Sequence, residues 1–307
     1  MATDPGPSAV VFDRRAVRMH RVRAADTLKD HDFLLREAAS GLAARLADMS
    51  RTFPLAVELG CRGGALAAAL TDGARSRSGI AALYHAAPGH PAGPGAALAA
   101  DEEALPFAGA SLDLVFSNLS LHWTNDLPGA LAQIRRALRP DGLFLGAMLG
   151  GSTLNELRRA FEAAEIENEG GVSPRVSPFV DVRDAGGLLQ RAGFALPVAD
   201  VDTVRATYSD IFALARELRG MGESNAVAAR RTSFLRRGTL MRAAEVYRDQ
   251  FGDGGGRLAA TFQIIYLAGW APHDSQQKPL RPGSAKTRLA DALGVGEIAA
   301  GEKAAPE

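Results

Sequence analysis

The stretch Leu55-Ala56-Val57-Glu58-Leu59-Gly60-Cys61-Arg62-Gly63-Gly64 decides the fold. Its first five residues are apolar apart from Glu58 and read as a short buried strand. Glycines then make a turn, and Ala65 to Leu70 reads as the helix that follows. A strand, a glycine turn and a helix open a doubly wound α/β unit. Ligands of such sheets bind beyond the carboxyl ends of the strands, so the Gly60 to Gly64 loop is the first candidate site. A helix N-terminus aimed at that loop favours negative groups.

The reading extends outward in both directions. Phe33, Leu34, Ala38, Leu42, Leu46 and Met49 recur at helical spacing before the strand. After it come apolar runs over Gly79 to Tyr84, Ala96 to Ala99 and Leu112 to Ser117. A helix is expected from Asn125 or Asp126, with Pro128 in its first turn, as far as the turn Arg139-Pro140-Asp141-Gly142. A fifth strand, Leu143 to Met148, follows. Alternating strands and helices imply a mostly parallel sheet covered on both faces. Beyond it, helices are expected over 154–166, 182–192, 211–219 and 233–251. Ala195 to Val201 and Thr203 to Thr207 read as an antiparallel edge pair, and Ala259 to Tyr266 as a last strand. The expected organisation is a tail over 1–9, one domain over 10–297 and a tail over 298–307. Within the domain, about 50–150 is the nucleotide-binding half and about 151–290 supplies substrate or partner elements.

Composition narrows the function classes. The 307 residues carry 35 Lys+Arg and 35 Asp+Glu, so no overall field favours nucleic acid or an anionic membrane. With Cys61 the only cysteine, neither a disulfide framework nor a cysteine-based zinc site is expected. Arginine outnumbers lysine and alanine and glycine abound, as GC-rich bacterial coding would give. No run approaches the roughly 18 apolar residues of a membrane span. The N-terminus has no apolar signal core, so a cytoplasmic location is expected. The basic segment Asp13 to Arg23 reads as a solvated helix face, with contact to a membrane-bound partner as the alternative.

Glu58-x-Gly60-x-x-x-Gly64 resembles the acidic-x-Gly-x-Gly-x-Gly signature of class I S-adenosylmethionine (SAM) methyltransferases. That resemblance implies SAM held by Glu58, Gly60, Gly64, Asp101, Glu102, Asn118 and Leu119, with Glu58 near the ammonium and Asp101 near the adenine amine. Two positions depart from the signature. Arg62 stands at its second glycine, and the second strand ends at Tyr84-His85 without the carboxylate that holds both ribose hydroxyls. Ala86 to Gly95 is too rich in proline and glycine for a crossover helix. His85 and His90 read as loop residues, since no carboxylate or third histidine is spaced to join them as metal ligands; no metal is expected.

Further segments resemble one family: Ala100 to Phe107, Leu119 to Pro128, Leu138 to Gly142, Glu169 to Phe179, Gly220-Met221-Gly222-Glu223-Ser224-Asn225, and Thr261 to Trp270. They look like the methyltransferase-like assembly factor of respiratory complex I, the arginine-hydroxylase family. The first three segments are also similar to the malonyl-carrier-protein methyltransferase. The resemblance implies activity on an arginine of a complex I subunit, with Met221, Glu223, Asn225 and Trp270 serving substrate or partner recognition. His122 and Trp123, just after the fourth strand, either pack the sheet's upper edge or face the substrate. His122 is the candidate base. Three readings follow: a SAM-dependent enzyme acting on a protein side chain, a non-catalytic assembly factor with a degenerate pocket, and a carrier-protein or small-molecule O-methyltransferase.

Overall fold

A computed structural model describes residues 10–70, 72–88, 96–277, 284 and 287–296. In chain order the elements are α1 (Arg14–Ala24), α2 (Phe33–Ala47), β1 (Leu55–Leu59), α3 (Ala65–Ala69), α4 (Asp72–Arg77), β2 (Ala82–Ala87), β3 (Ala96–Ala99), β4 (Leu112–Asn118), α5 (Leu127–Ala137), β5 (Leu138–Leu149), α6 (Asn155–Glu169), α7 (Val182–Arg191), β6 (Ala195–Tyr208), α8 (Ile211–Gly220), α9 (Arg237–Phe251), β7 (Leu258–Trp270) and α10 (Leu289–Leu293). The chain divides into Met1–Pro272 and His273–Glu307, short of the single domain expected to residue 297. The second unit contributes α10 among its described residues. No helix among the described residues is long and apolar enough to cross a membrane.

The sheet has seven strands in the order β3-β2-β1-β4-β5-β7-β6. The first five are parallel, and β7 runs antiparallel to both β5 and β6. The expected mostly parallel sheet with an antiparallel C-terminal edge is therefore present. The chain order reverses between β1 and β4, which puts the switch point at the carboxyl end of β1.

Helices begin where short acidic side chains accept orphan backbone N–H groups. Asp126 accepts from Gly129 at the start of α5, and Asp13 accepts from Ala16 at the start of α1. Apolar residues cover both faces of the sheet. Leu34, Leu42 and Leu46 of α2 pack with Phe116 and Tyr266, while Leu131 and Ile134 of α5 pack with Val57 and Phe144. A third, smaller cluster joins Phe12, Ala16 and Val17 to Trp123, Ala226 and Val227 and so fastens α1 to the top of the sheet.

Several expectations need correction. Ala195 to Val201 and Thr203 to Thr207 do not pair with each other. They form one strand, β6, laid along β7, because Asp202 alone between them makes no turn. The helix after the glycine loop ends at Ala69, and a second, α4, follows it. β2 continues to Ala87, so His85 lies inside a strand and not in a loop. β5 starts at Leu138, before the expected turn, where Leu138 pairs with Leu112 and the register then shifts. His90 and most of the proline- and glycine-rich crossover, like the tails over 1–9 and 298–307, lie outside the described residues.

Candidate functional site

Glu58, near the end of β1, lies opposite His85 of β2 in the parallel register. Their side chains meet: His85 Nδ1 is 2.8 Å from Glu58 Oε2, and both residues are fully buried. Past the strand, the Gly60 N–H donates to the Ala86 carbonyl at 2.7 Å, which folds the loop back over β2. Gly60 has φ +70°, and a Cβ there would lie 2.0 Å from Ser120 Oγ. The Gly60→Ala variant is expected to lose roughly 2–4 kcal/mol, from left-handed strain plus overpacking. Its urea midpoint checks this, and an unchanged midpoint would mean that Ser120 swings aside freely.

Arg62 points inward instead of clearing the loop. Its side chain is 8% exposed, and it forms an ion pair with Glu223 at 2.8 Å. It also donates to the carbonyls of Met221 at 3.0 Å and Leu119 at 2.8 Å. The other Glu223 oxygen accepts from Trp123 Nε1 at 2.7 Å and lies 3.1 Å from His122 Nε2. The guanidinium of Arg62, then His122 and Arg21, overcome the effect of burial and hold the Glu223 carboxyl far below the usual carboxylate range. Burial lowers the His122 pKa against the pull of Glu223. With its side chain only 1% exposed, His122 braces Glu223.

Helix α1 closes over Asp101 and Glu102. Arg14 Nη2 lies 2.6 Å from Asp101 Oδ1 and 2.6 Å from Glu102 Oε2. Arg21 Nη1 lies 3.2 Å from Glu102, whose other close partner is the Ser120 hydroxyl. Burial would raise the Glu102 carboxyl, but Arg21 and Arg14 outweigh it and hold the group at about 2. The basic segment is therefore only partly a solvated face. Arg14, Arg18 and Arg21 stand at i, i+4 and i+7 on one face of a helix, a spacing that marks the stripe in the sequence once the helix is recognised.

The remaining candidates separate. Asn118 Nδ2 donates to the Leu35 carbonyl at 3.0 Å and so is turned into the core. Half-buried Asn225 is held in local structure: it donates to the Pro174 carbonyl at 2.6 Å and accepts from Val227 N at 3.0 Å. Met221 is 2% exposed. Trp270 does not join this group. It pairs in register with Leu143, at the amino-terminal side of the parallel run, and packs on Phe53 with ring centroids 6.1 Å apart. Because β7 is antiparallel, its carboxyl end points away from the switch point. Met221 and Glu223 thus tie to the loop through Arg62, whereas Asn225 does not reach it; all three, with Trp123, border a cavity of about 190 Å³.

A cavity of about 320 Å³ remains between α1 and the loop, bordered by Arg14, Arg21, Gly60, Cys61, Gly63 and Ala87. In this arrangement the side chains that the resemblance assigns to SAM are already paired. Glu58 is engaged by His85, Asp101 and Glu102 by α1, the Leu119 carbonyl by Arg62, and Asn118 by Leu35. The last residues of β2, Ala86 and Ala87, have no side-chain acceptor for ribose hydroxyls, and their carbonyls already accept from Gly60, Cys61 and Ala100.

Comparison with known proteins agrees with the fold. A methyltransferase-domain family, Methyltransf_11, matches residues 57–146. The chain is 43% identical over 293 residues to "Arginine-hydroxylase NDUFAF5, mitochondrial" of Danio rerio, covering 94% of this chain and 91% of that one. It is 45% identical over 280 residues to the protein of that name from Homo sapiens, with 90% and 81% covered. A malonyl-[acyl-carrier protein] O-methyltransferase of Methylovorus sp. (strain MP688) is 35% identical over 284 residues, with 86% and 91% covered. Among solved structures, the YcgJ protein from Bacillus superposes with a TM-score of 0.50 at 14% identity, covering 77% of this chain and 99% of that one.

Proposed function

We propose that this chain, which belongs to the NDUFAF5 arginine-hydroxylase family, serves the assembly of respiratory complex I by engaging a protein partner, and does not transfer a methyl group from SAM. The partner is a complex I subunit, and an arginine side chain is the class of group engaged. One observation carries the reading: the side chains that would hold SAM are closed on one another, through His85–Glu58 and through Arg14 and Arg21 on Asp101 and Glu102. The buried His85–Glu58 and Arg21–Glu102 pairs would have to open and leave their partners unsatisfied before a nucleoside could reach those carboxylates.

The cavity of about 320 Å³ beside Gly60 and Cys61 favours a second reading, a SAM-dependent enzyme acting on a protein side chain after α1 lifts. Isothermal titration with SAM and with S-adenosylhomocysteine separates the two. No binding tighter than about millimolar is expected from the folded chain. Micromolar binding would overturn the first reading and establish that α1 opens. A partner then follows from capture with purified complex I subunits, where retention of an arginine-bearing subunit is the expected result.

A further inference from the structure

The register that pairs β1 with β2 brings together three side chains the sequence leaves scattered. Glu58 and His85 face each other across the two strands, and the loop bend at Gly60 returns Cys61 to them. One carboxylate oxygen, one imidazole nitrogen and one thiol sulfur all lie within 4.8 Å of one another, and all three residues are fully buried. From the geometry we infer that Glu58, Cys61 and His85 form a binding site for a divalent transition-metal ion of the zinc class.

Three arguments support the site. The first is the donor set. Thiolate, imidazole and carboxylate are the ligands that borderline divalent ions take, at about 2.0–2.3 Å each. Neighbouring ligand atoms around such an ion stand a little over 3 Å apart, so His85 Nδ1 and Glu58 Oε2, now 2.8 Å apart, need to separate only slightly. The second is charge. A carboxylate, a thiolate and a neutral imidazole carry two negative charges, which one divalent ion cancels without leaving net charge in the core. The nearest guanidinium of the loop, Arg62, is neutralised by Glu223 at 2.8 Å. The third is access. Cys61 and its neighbours Gly60, Gly63 and Ala87 border the cavity of about 320 Å³. Three protein ligands with solvent or a small molecule in the fourth position is the arrangement of an open zinc site. On binding, the Cys61 thiol loses its proton to solvent, and the His85 proton resides on Nε2 so that Nδ1 is free to ligate.

The inference does not depend on the partner reading, since it needs no partner and no nucleoside. The test titrates the metal-free full chain with Co²⁺ and records its absorption, then displaces Co²⁺ with Zn²⁺. Because Cys61 is the only cysteine, any thiolate-to-cobalt charge-transfer band must come from this site. The expected result is such a band, saturating at one equivalent and abolished by Zn²⁺. Cys61→Ser removes the band, and His85→Gln weakens affinity by about 10-fold or more. Absence of the band from the folded wild-type chain overturns the inference, as does a band that His85→Gln leaves at full affinity. If a variant fails to fold, the wild-type titration alone decides.

Discussion

Glu223→Ala is expected to lower the stability of the folded chain by about 3–5 kcal/mol, because it leaves Arg62 as an unpaired buried cation. The Glu223 carboxylate is 7% exposed and serves Arg62, His122 and Trp123 together. Removing it takes the counter-charge from Arg62, which keeps only its two carbonyl acceptors, and leaves the Trp123 N–H and a His122 nitrogen without their partner. Burial limits how well water replaces the lost acceptor. At roughly 2 °C per kcal/mol for a chain of this length, the thermal midpoint falls by about 6–10 °C. Calorimetry of the variant checks the size of the loss. The double variant Arg62→Met/Glu223→Leu distinguishes charge from shape, since it removes both members of the pair and is expected to recover much of it. A fall of less than about 1 kcal/mol in Glu223→Ala would mean that the pair is solvated, and the site would then be open.

The second large effect is acid sensitivity. The Glu102 carboxyl is held at about 2 in the folded chain, against its ordinary value of 4.5. A depressed carboxylate pKa contributes stability that is complete above the unfolded value and is lost as pH falls toward the folded one. The window therefore runs from about pH 5 down to about pH 2, and the contribution is on the order of 3 kcal/mol. Glu223 is shifted in the same direction and adds to the slope. Urea midpoints measured across that window are expected to drop as acid is added. In Glu102→Gln the drop is shallower, because the group that takes up the proton is gone. An identical slope in wild type and Glu102→Gln would show that Arg14 and Arg21 do not hold this carboxylate. Loosening of α1 accompanies protonation, since Arg14 and Arg21 both point at Glu102. A probe on α1, such as hydrogen exchange over Arg14–Ala24, is expected to respond before the sheet does.

Both effects arise at positions where a residue departs from the SAM-methyltransferase signature that the loop resembles or where a basic stripe looks like solvent-facing surface. Arg62 stands where that signature has a glycine, and it ties the loop after β1 to the Gly220 to Asn225 segment. His85 replaces an acidic residue, and in doing so turns Glu58 toward β2. Neither substitution leaves a gap. Each is absorbed by a partner that accepts its shape and charge, so the fold persists with a different site.

The elements that build the sheet were legible because their signals are local. The apolar run Leu55 to Leu59 before a glycine turn, Asp126 and Pro128 opening α5, and Gly170 and Gly193 after α6 and α7 all act through neighbours in the chain. Alternating strands and helices then leave few topologies, and the antiparallel C-terminal edge is among them. The carbon-copy positions of the nucleotide motif, Glu58, Gly60 and Gly64, were found for the same reason.

The chemistry of the site was decided elsewhere. Glu58 and His85 are 27 positions apart, Arg14 and Glu102 are 88 apart, and Arg62 meets the Met221 carbonyl across 159. Strand register and the docking of α1 bring these groups together, and no periodicity along the chain encodes either. A carboxylate reads the same in sequence whether it awaits a ligand or is already paired. Only packing determines which, because the balance between desolvation and a neighbouring charge depends on distances of a few ångströms that tertiary structure sets.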